Sequence, residues 1–430
     1  MTAVAAEPRA RACATVAVAA VLYALIGCGG EDGAASDPLP MRSRPPSVVT
    51  GAVTARDTSP TVHGADLTDL VTGNTAFALD IFTTLGAAKP DENIALGPYS
   101  ISQAMAMLYA GARGVTAEEM RAALHFDVEL PQFHATFNGL DLELLSRNGD
   151  ITLRIANQLW AQTGFDPLPE FLDVLTESYD APLALLDFAA DAEAARGTIN
   201  HWVEEATGDK IPMLFPRGTI MSNTKLVLTN AMYLDAPWKY KFESSETRPQ
   251  PFTLLDGSQV VVDTMHFNDF LPSGSGDGWQ AVELPYRGDE VSMIAVVPDD
   301  LTAFEAALTP ARLEEILNAI EDGGIHLSLP RFTFSYHASL VDAFRALGAP
   351  SLFDGADLSG IAVGGLFVSA IEHEAFIEVD EEGTRAAAAT GVAVADSHGP
   401  TIQFDRPFLF FIVDRPTGTL LFLGRVADPR

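Results

Sequence analysis

The stretch His373–Asp396, HEAFIEVDEEGTRAAAATGVAVAD, opens as one strand and continues as the pattern of a second. In its first part Ala375, Ile377 and Val379 alternate with Phe376, Glu378 and Asp380, the period of a strand with one face on a core. After Glu381-Glu382-Gly383 the pattern resumes: Thr384, Ala386, Ala388, Thr390, Val392 and Val394 are small or apolar, and none is charged. The residues between them hold Arg385, the only charge before Asp396. Such a segment can enter the middle of a sheet with the Thr384 set facing the core and Arg385 facing water. Yet its flanks, Glu381-Glu382-Gly383 and Asp396-Ser397-His398-Gly399-Pro400, read as an exposed loop. On composition an Ala-rich run also reads as helix or linker. Gly383, Gly391 and the β-branched Thr384, Thr390, Val392 and Val394 stand against a helix.

The 430-residue chain has a formal charge of −32 and no cluster of Lys or Arg. That argues against nucleic acid, heparin-like polyanions and anionic lipid surfaces as partners. Arg9 and Arg11 precede an apolar run, Ala12 to Ile26, too short to span a bilayer comfortably. The run ends Leu25-Ile26-Gly27-Cys28, which resembles a bacterial lipobox. The resemblance implies a signal peptide at 1–27, a lipid on Cys28 and an exported protein anchored to the cell envelope. Gly29 stands where an Asp would favour inner-membrane retention, which points to the outer membrane. The other cysteine, Cys13, lies in the part removed, so the mature chain has no disulfide. Residues 28–65, rich in Gly, Pro, Ser, Thr and Asp, read as a disordered tether. Residues 66–430 show no further break and no repeat, and so read as one domain.

Leu67 to Leu85 has the spacing of an amphipathic helix. In NIALGPYSISQAMAMLYAGARGVTAEEM (93–120), Pro98 is placed to open a buried helix. Ile151 to Ala161 alternates as a central strand, and Ile199 to Phe215 reads as a helix closed by Gly208. Residues 281–298 form a hairpin turning at Arg287-Gly288-Asp289, and 405–429 form two strands around Pro416-Thr417-Gly418. The chain has no G-x-S-x-G, no H-E-x-x-H, no Gly-rich phosphate loop and no cysteine pair, and its nine His do not cluster at ligand spacing. No enzyme, metal or cofactor is expected.

EEGTRAAAATGVAV resembles the hinge of the reactive-centre loop in the serpin family of protease inhibitors, and this decides the reading of the opening stretch. Residues 93–120, 199–215, TKLVLTNAMYLDAPWKYKF (224–242), HLSLPRFTF (326–334), GADLSGI (355–361) and 405–429 are similar to other serpin segments, in family order. Gly97 stands where the family usually has Ser, and Arg385 where it usually has Glu. The resemblance implies an α+β serpin-like single domain, with helices around a large central mixed sheet, smaller sheets and an exposed reactive-centre loop at about 381–402. It implies a hinge at Glu381, Glu382, Gly383, Thr384, Arg385, Ala386, Ala387, Ala388, Ala389 and Thr390. It places Ser100, Asn230 and His373 where the central sheet parts, with Trp238 at the top of the opening. His373 is otherwise an ordinary core histidine, and none of the four needs to do chemistry.

The implied function is irreversible, suicide-substrate inhibition. A serine or cysteine protease attacks the bait bond and forms an acyl-enzyme; the cleaved loop inserts as a strand and traps it. Counting from the hinge puts the bait bond at Ser397-His398, and counting back from Pro407-Phe408 puts it at Asp396-Ser397, which is preferred. Val394-Ala395-Asp396 resembles the bait of viral serpins that block caspases, so the expected target prefers Asp or small residues. On this reading the loop is exposed before cleavage, and Thr384→Arg would spoil insertion while sparing native stability. Arg385→Glu, on the wet face, would change little. The partners are then a protease and a lipid anchor, on a monomer. The alternative is a non-inhibitory serpin acting as a scaffold or cleaved decoy.

Overall fold

A computed structural model describes residues 47–130, 132–363, 366–384 and 399–430. Arg385 to Thr390, Asp396, Ser397 and Cys28 lie outside the described residues.

The largest sheet runs β1 (Val48–Val49), β4 (Leu183–Leu186), β3 (Thr152–Gln162), β5 (Leu226–Pro237), β13 (Val368–Val379) and β12 (Phe332–Ser339). A short strand, β14 (Gly383–Thr384), pairs with β5 off this path. A second sheet runs β2 (Ile94–Leu96), β17 (Thr419–Val426), β16 (Phe408–Asp414), β10 (Val291–Pro298), β9 (Trp279–Pro285) and β8 (Ser273–Gly276). A third runs β15 (Thr401–Gln403), β11 (Gly324–Pro330), β7 (Gln259–Phe270) and β6 (Arg248–Thr253). The helices are α1 (Gly64–Ala88), α2 (Pro98–Tyr109), α3 (Gly114–Ala123), α4 (Gln132–Leu145), α5 (Pro169–Tyr179), α6 (Ala192–Ala206), α7 (Leu301–Ala306), α8 (Pro310–Asn318) and α9 (Val341–Ala346). The fold is thus the expected α+β arrangement around a large mixed sheet.

Both faces of the central sheet are covered, which is why β5 is almost wholly apolar. Leu226, Leu228, Met232 and Leu234 belong to the main core, whereas Val227 and Ala231 pack with Trp202 and Val203 of α6. Helix α2 lies against β3, β5 and β17, between the first and second sheets, and every residue from Pro98 to Leu108 is buried. A helix in that position has no wet face, so its sequence shows no polar stripe.

Two expectations change. The helix expected over 199–215 spans 192–206: Asp191 caps it, and Gly208 turns the chain with φ +65°. The tether expected to reach residue 65 stops short of it. Val48–Val49 pair antiparallel with β4, Val53 N donates to Asp173 Oδ1 at 2.7 Å, and Arg56 meets buried Asp141. Backbone pairing with an open sheet edge and a buried charge holds this polar, Gly/Pro-containing stretch, although it has no hydrophobic period of its own.

Candidate functional site at the central seam

Strands β5 and β13 run parallel, from Leu226–Val368 to Tyr233–Phe376. Beyond that point β5 pairs instead with the hinge: Gly383 lies against Pro237 and Thr384 against Ala236, antiparallel. Gly383 is required there, because a Cβ on it would sit 2.3 Å from Ala236 O.

The hinge is fastened at several points. Asp380 Oδ1 accepts from Glu382 N at 2.8 Å and Gly383 N at 3.2 Å, which shapes the turn out of β13. Glu381 is buried; its Oε1 accepts from Thr247 Oγ1 at 2.6 Å, and Arg331 stands 3.6 Å away. Glu382 pairs with Lys241. Trp238 donates Nε1–H to Asp380 O at 2.9 Å and stacks on Tyr286, with centroids 4.5 Å apart. Tyr286 OH and Thr384 Oγ1 are 2.6 Å apart, and burial pushes the Tyr286 hydroxyl pKa up. Thr384 is only 2 % exposed, so the expected loop 381–402 begins inside the sheet.

Lower on the seam Ser100, Asn230 and His373 meet. Asn230 donates to Ser100 Oγ at 2.6 Å, and His373 Nδ1 lies 2.5 Å from Asn230 Oδ1. Gly97 N donates to His373 Nε2 at 3.3 Å, and the buried ring is neutral. Burial lowers its pKa to about 3. A Cβ on Gly97 would lie 2.7 Å from Met232 Sδ: Met232 fills the space a serine would take. Trp238 stands apart from this trio, with the hinge. Asn157 belongs to the cluster but was not anticipated. It accepts from Asn230 at 2.6 Å and from Ser100 at 3.2 Å, and donates to Gln103 at 2.9 Å. Its signal was an Asn at an inward position of an apolar strand.

On the opposite face, Tyr233 and Phe376 touch across the seam, with centroids 6.3 Å apart, and Lys210 lies over both rings. Glu374 is buried there, which raises its carboxyl pKa to about 7. Beside it Glu372 Oε2 lies 3.2 Å from His337 Nε2. No group of His, Cys, Asp and Glu among the described residues could hold a metal ion.

These features define a class: an α+β domain whose largest sheet carries a parallel central pair with a hinge strand seated at its head. The profile of the serpin (serine protease inhibitor) family matches residues 72–429, and the chain belongs to the serpin family. It is 40 % identical over 379 residues to the leukocyte elastase inhibitor of Bos taurus, covering 84 % of this chain and 99 % of that protein. A serpin-like protein of Methanosarcina mazei is 35 % identical over 373 residues, covering 84 % of this chain and 88 % of its own. Among solved structures, uncleaved ovalbumin superposes with a TM-score of 0.77 at 27 % identity, over 84 % of this chain and 100 % of that one. Human thyroxine-binding globulin gives 0.78 at 28 %, over 85 % and 99 %.

Proposed function

We propose that this serpin is not an enzyme but a suicide-substrate inhibitor, which traps a serine or cysteine protease as an acyl-enzyme while its cleaved loop enters the β5–β13 seam. The observation that carries the reading is the seating of Gly383–Thr384 on β5 in the antiparallel sense. A strand continued from there would convert one parallel pairing into two antiparallel ones, the somewhat stronger ladder. The inward set from Thr384 to Val394 brings no charge into the core as it enters.

The bait bond is taken as Asp396–Ser397. With Val392-Ala393-Val394-Ala395 before it, the target is a protease that accepts Asp or small residues, a preference in keeping with relatives named leukocyte elastase inhibitors. The lipobox-like Cys28 would hold the monomeric inhibitor on a bacterial envelope. The test is to mix the protein with elastase-type, caspase-type and trypsin-type proteases. An SDS-resistant complex with one of the first two is expected. Cleavage of the loop by all that act on it, with no such complex, would defeat the reading.

A further inference from the structure

Between α6 and β5, residues 207–225 have no helix or strand of their own and cross the central sheet on the face opposite the Ser100 cluster. Ile211, Leu214 and Phe215 pack there with Val227 and Ala231 of β5 and Ala370 of β13. Lys210 lies over Tyr233 and Phe376 on either side of the seam. The segment is tied to α6 by Asn200, which accepts from Phe215 N at 2.8 Å and donates to Phe215 O at 3.0 Å. On the sheet it is met by His337 of β12, whose ring reaches the Leu214 carbonyl.

His337 stands directly opposite Glu374 in the β12–β13 pair, so the two side chains share a face. Glu372, two residues along β13 on that face, has Oε2 3.2 Å from His337 Nε2. The ring therefore faces two acceptors, the Glu372 carboxyl and the Leu214 carbonyl. A protonated imidazole donates from both nitrogens and can serve both. A neutral one has a single N–H and must leave one of them, whichever nitrogen keeps the proton.

The Glu372 carboxyl raises the His337 pKa above its ordinary 6.5 against the effect of burial, and Glu374 and the Leu214 carbonyl add to the rise. Glu374 is pushed up to about 7 by burial, with the charge of His337 opposing. Asp235 of β5 and Glu378 of β13 lie further up the same face by alternation. His373, on the other face of β13, is held neutral mainly by burial and partly by the charge of His337. The fold thus favours charged His337, and that contribution is complete below about pH 6.5 and is lost as the pH rises through the raised value. Glu374 acts in the same sense, since its proton is also lost on the way up.

We propose that His337, set between Glu372, Glu374 and the Leu214 carbonyl, is a proton-operated latch that holds residues 207–225 across the seam at acid pH and frees them as the pH rises. The latch rests on the contacts of His337 alone; its consequence for loop entry rests on the insertion reading above.

The test is amide hydrogen exchange on the full chain at about pH 6 and pH 8, each rate divided by the intrinsic rate at that pH. No protease is needed, so the result stands apart from the trapping reading. Protection across 207–225 should fall at least about threefold between the two. His337→Gln, never charged, should show at pH 6 the lower protection that wild type shows at pH 8. His337→Lys, charged at both values, should keep its pH 6 protection at pH 8. Glu374→Gln, which removes the other titrating group, should retain a fall. The proposal is overturned if wild-type protection across 207–225 is equal at the two values, if His337→Gln or His337→Lys shows the wild-type fall, or if Glu374→Gln abolishes it.

Discussion

Thr384 has its hydroxyl on Tyr286 and almost no contact with water, which changes what a charge there would do. The alternation in the sequence correctly puts its side chain on the inward face. An exposed loop, however, would leave native stability untouched by Thr384→Arg, and the structure does not. An Arg at 384 displaces the hydrogen bond and loses its hydration before any cleavage, at about 3 kcal/mol or more. We therefore expect Thr384→Arg to lower the melting temperature of the uncleaved protein and also to turn inhibitor into substrate. Thr384→Val, which only leaves the Tyr286 hydroxyl unpaired, should cost about 1–2 kcal/mol. A melting temperature unchanged in both would mean that the hinge is not seated as described. Ser100, Asn230 and His373 were legible because their segments resemble a known family. Gln103 and Asn157 were not: an inward Asn on an apolar strand signals a buried amide, but a linear pattern does not show which side chains it bonds.

Among the elements, β14 fixes a register with consequences beyond its two residues. Continued by one residue in an inserted strand, it sets position 385 against Asp235 of β5. Asp235 has a raised pKa, mainly from burial and also from Glu378 and Asp380, with Arg154 opposing. The sequence alone treats position 385 as wet and indifferent. The register predicts instead that Arg385→Glu adds a fourth acid there and raises the number of inhibitor molecules consumed per protease blocked. Equal stoichiometry to wild type would refute that register.

Glu374 of β13 makes a second prediction. Its folded pKa of about 7 lies above the ordinary value near 4.3, so the native state keeps a proton that the unfolded chain has released. Its contribution to stability therefore falls as pH rises from about 4.5 to about 7. Glu374→Gln should stabilise the protein by about 2 kcal/mol at pH 8 and much less at pH 5; a gain equal at both values in urea unfolding would contradict this. His373 acts in the opposite sense: its depressed pKa removes stability as pH falls below about 6.5. Strand and hairpin order could be read from alternation and turn residues. The stretch at 47–62 could not, because a two-residue edge strand, Val48–Val49, held by backbone pairing and by its two valines against the cores is too short to show a hydrophobic period.

At the scale of the whole molecule, the proposed anchor makes a prediction of its own. If Cys28 carries the lipid, Cys28→Ser should move the protein from the membrane pellet to the soluble fraction without changing its inhibition in solution. A variant that still pellets would refute the anchor. The double-covered core frames a parallel pair whose head is already occupied by a hinge. The central claim is that this pair accepts the rest of the loop once the bait is cut. The measurement that bears on it most directly is the melting temperature before and after limited proteolysis near Asp396. The account predicts a rise of tens of degrees after cleavage, because the freed segment completes the sheet. A melting temperature that stays the same or falls after a single clean cut there would contradict it.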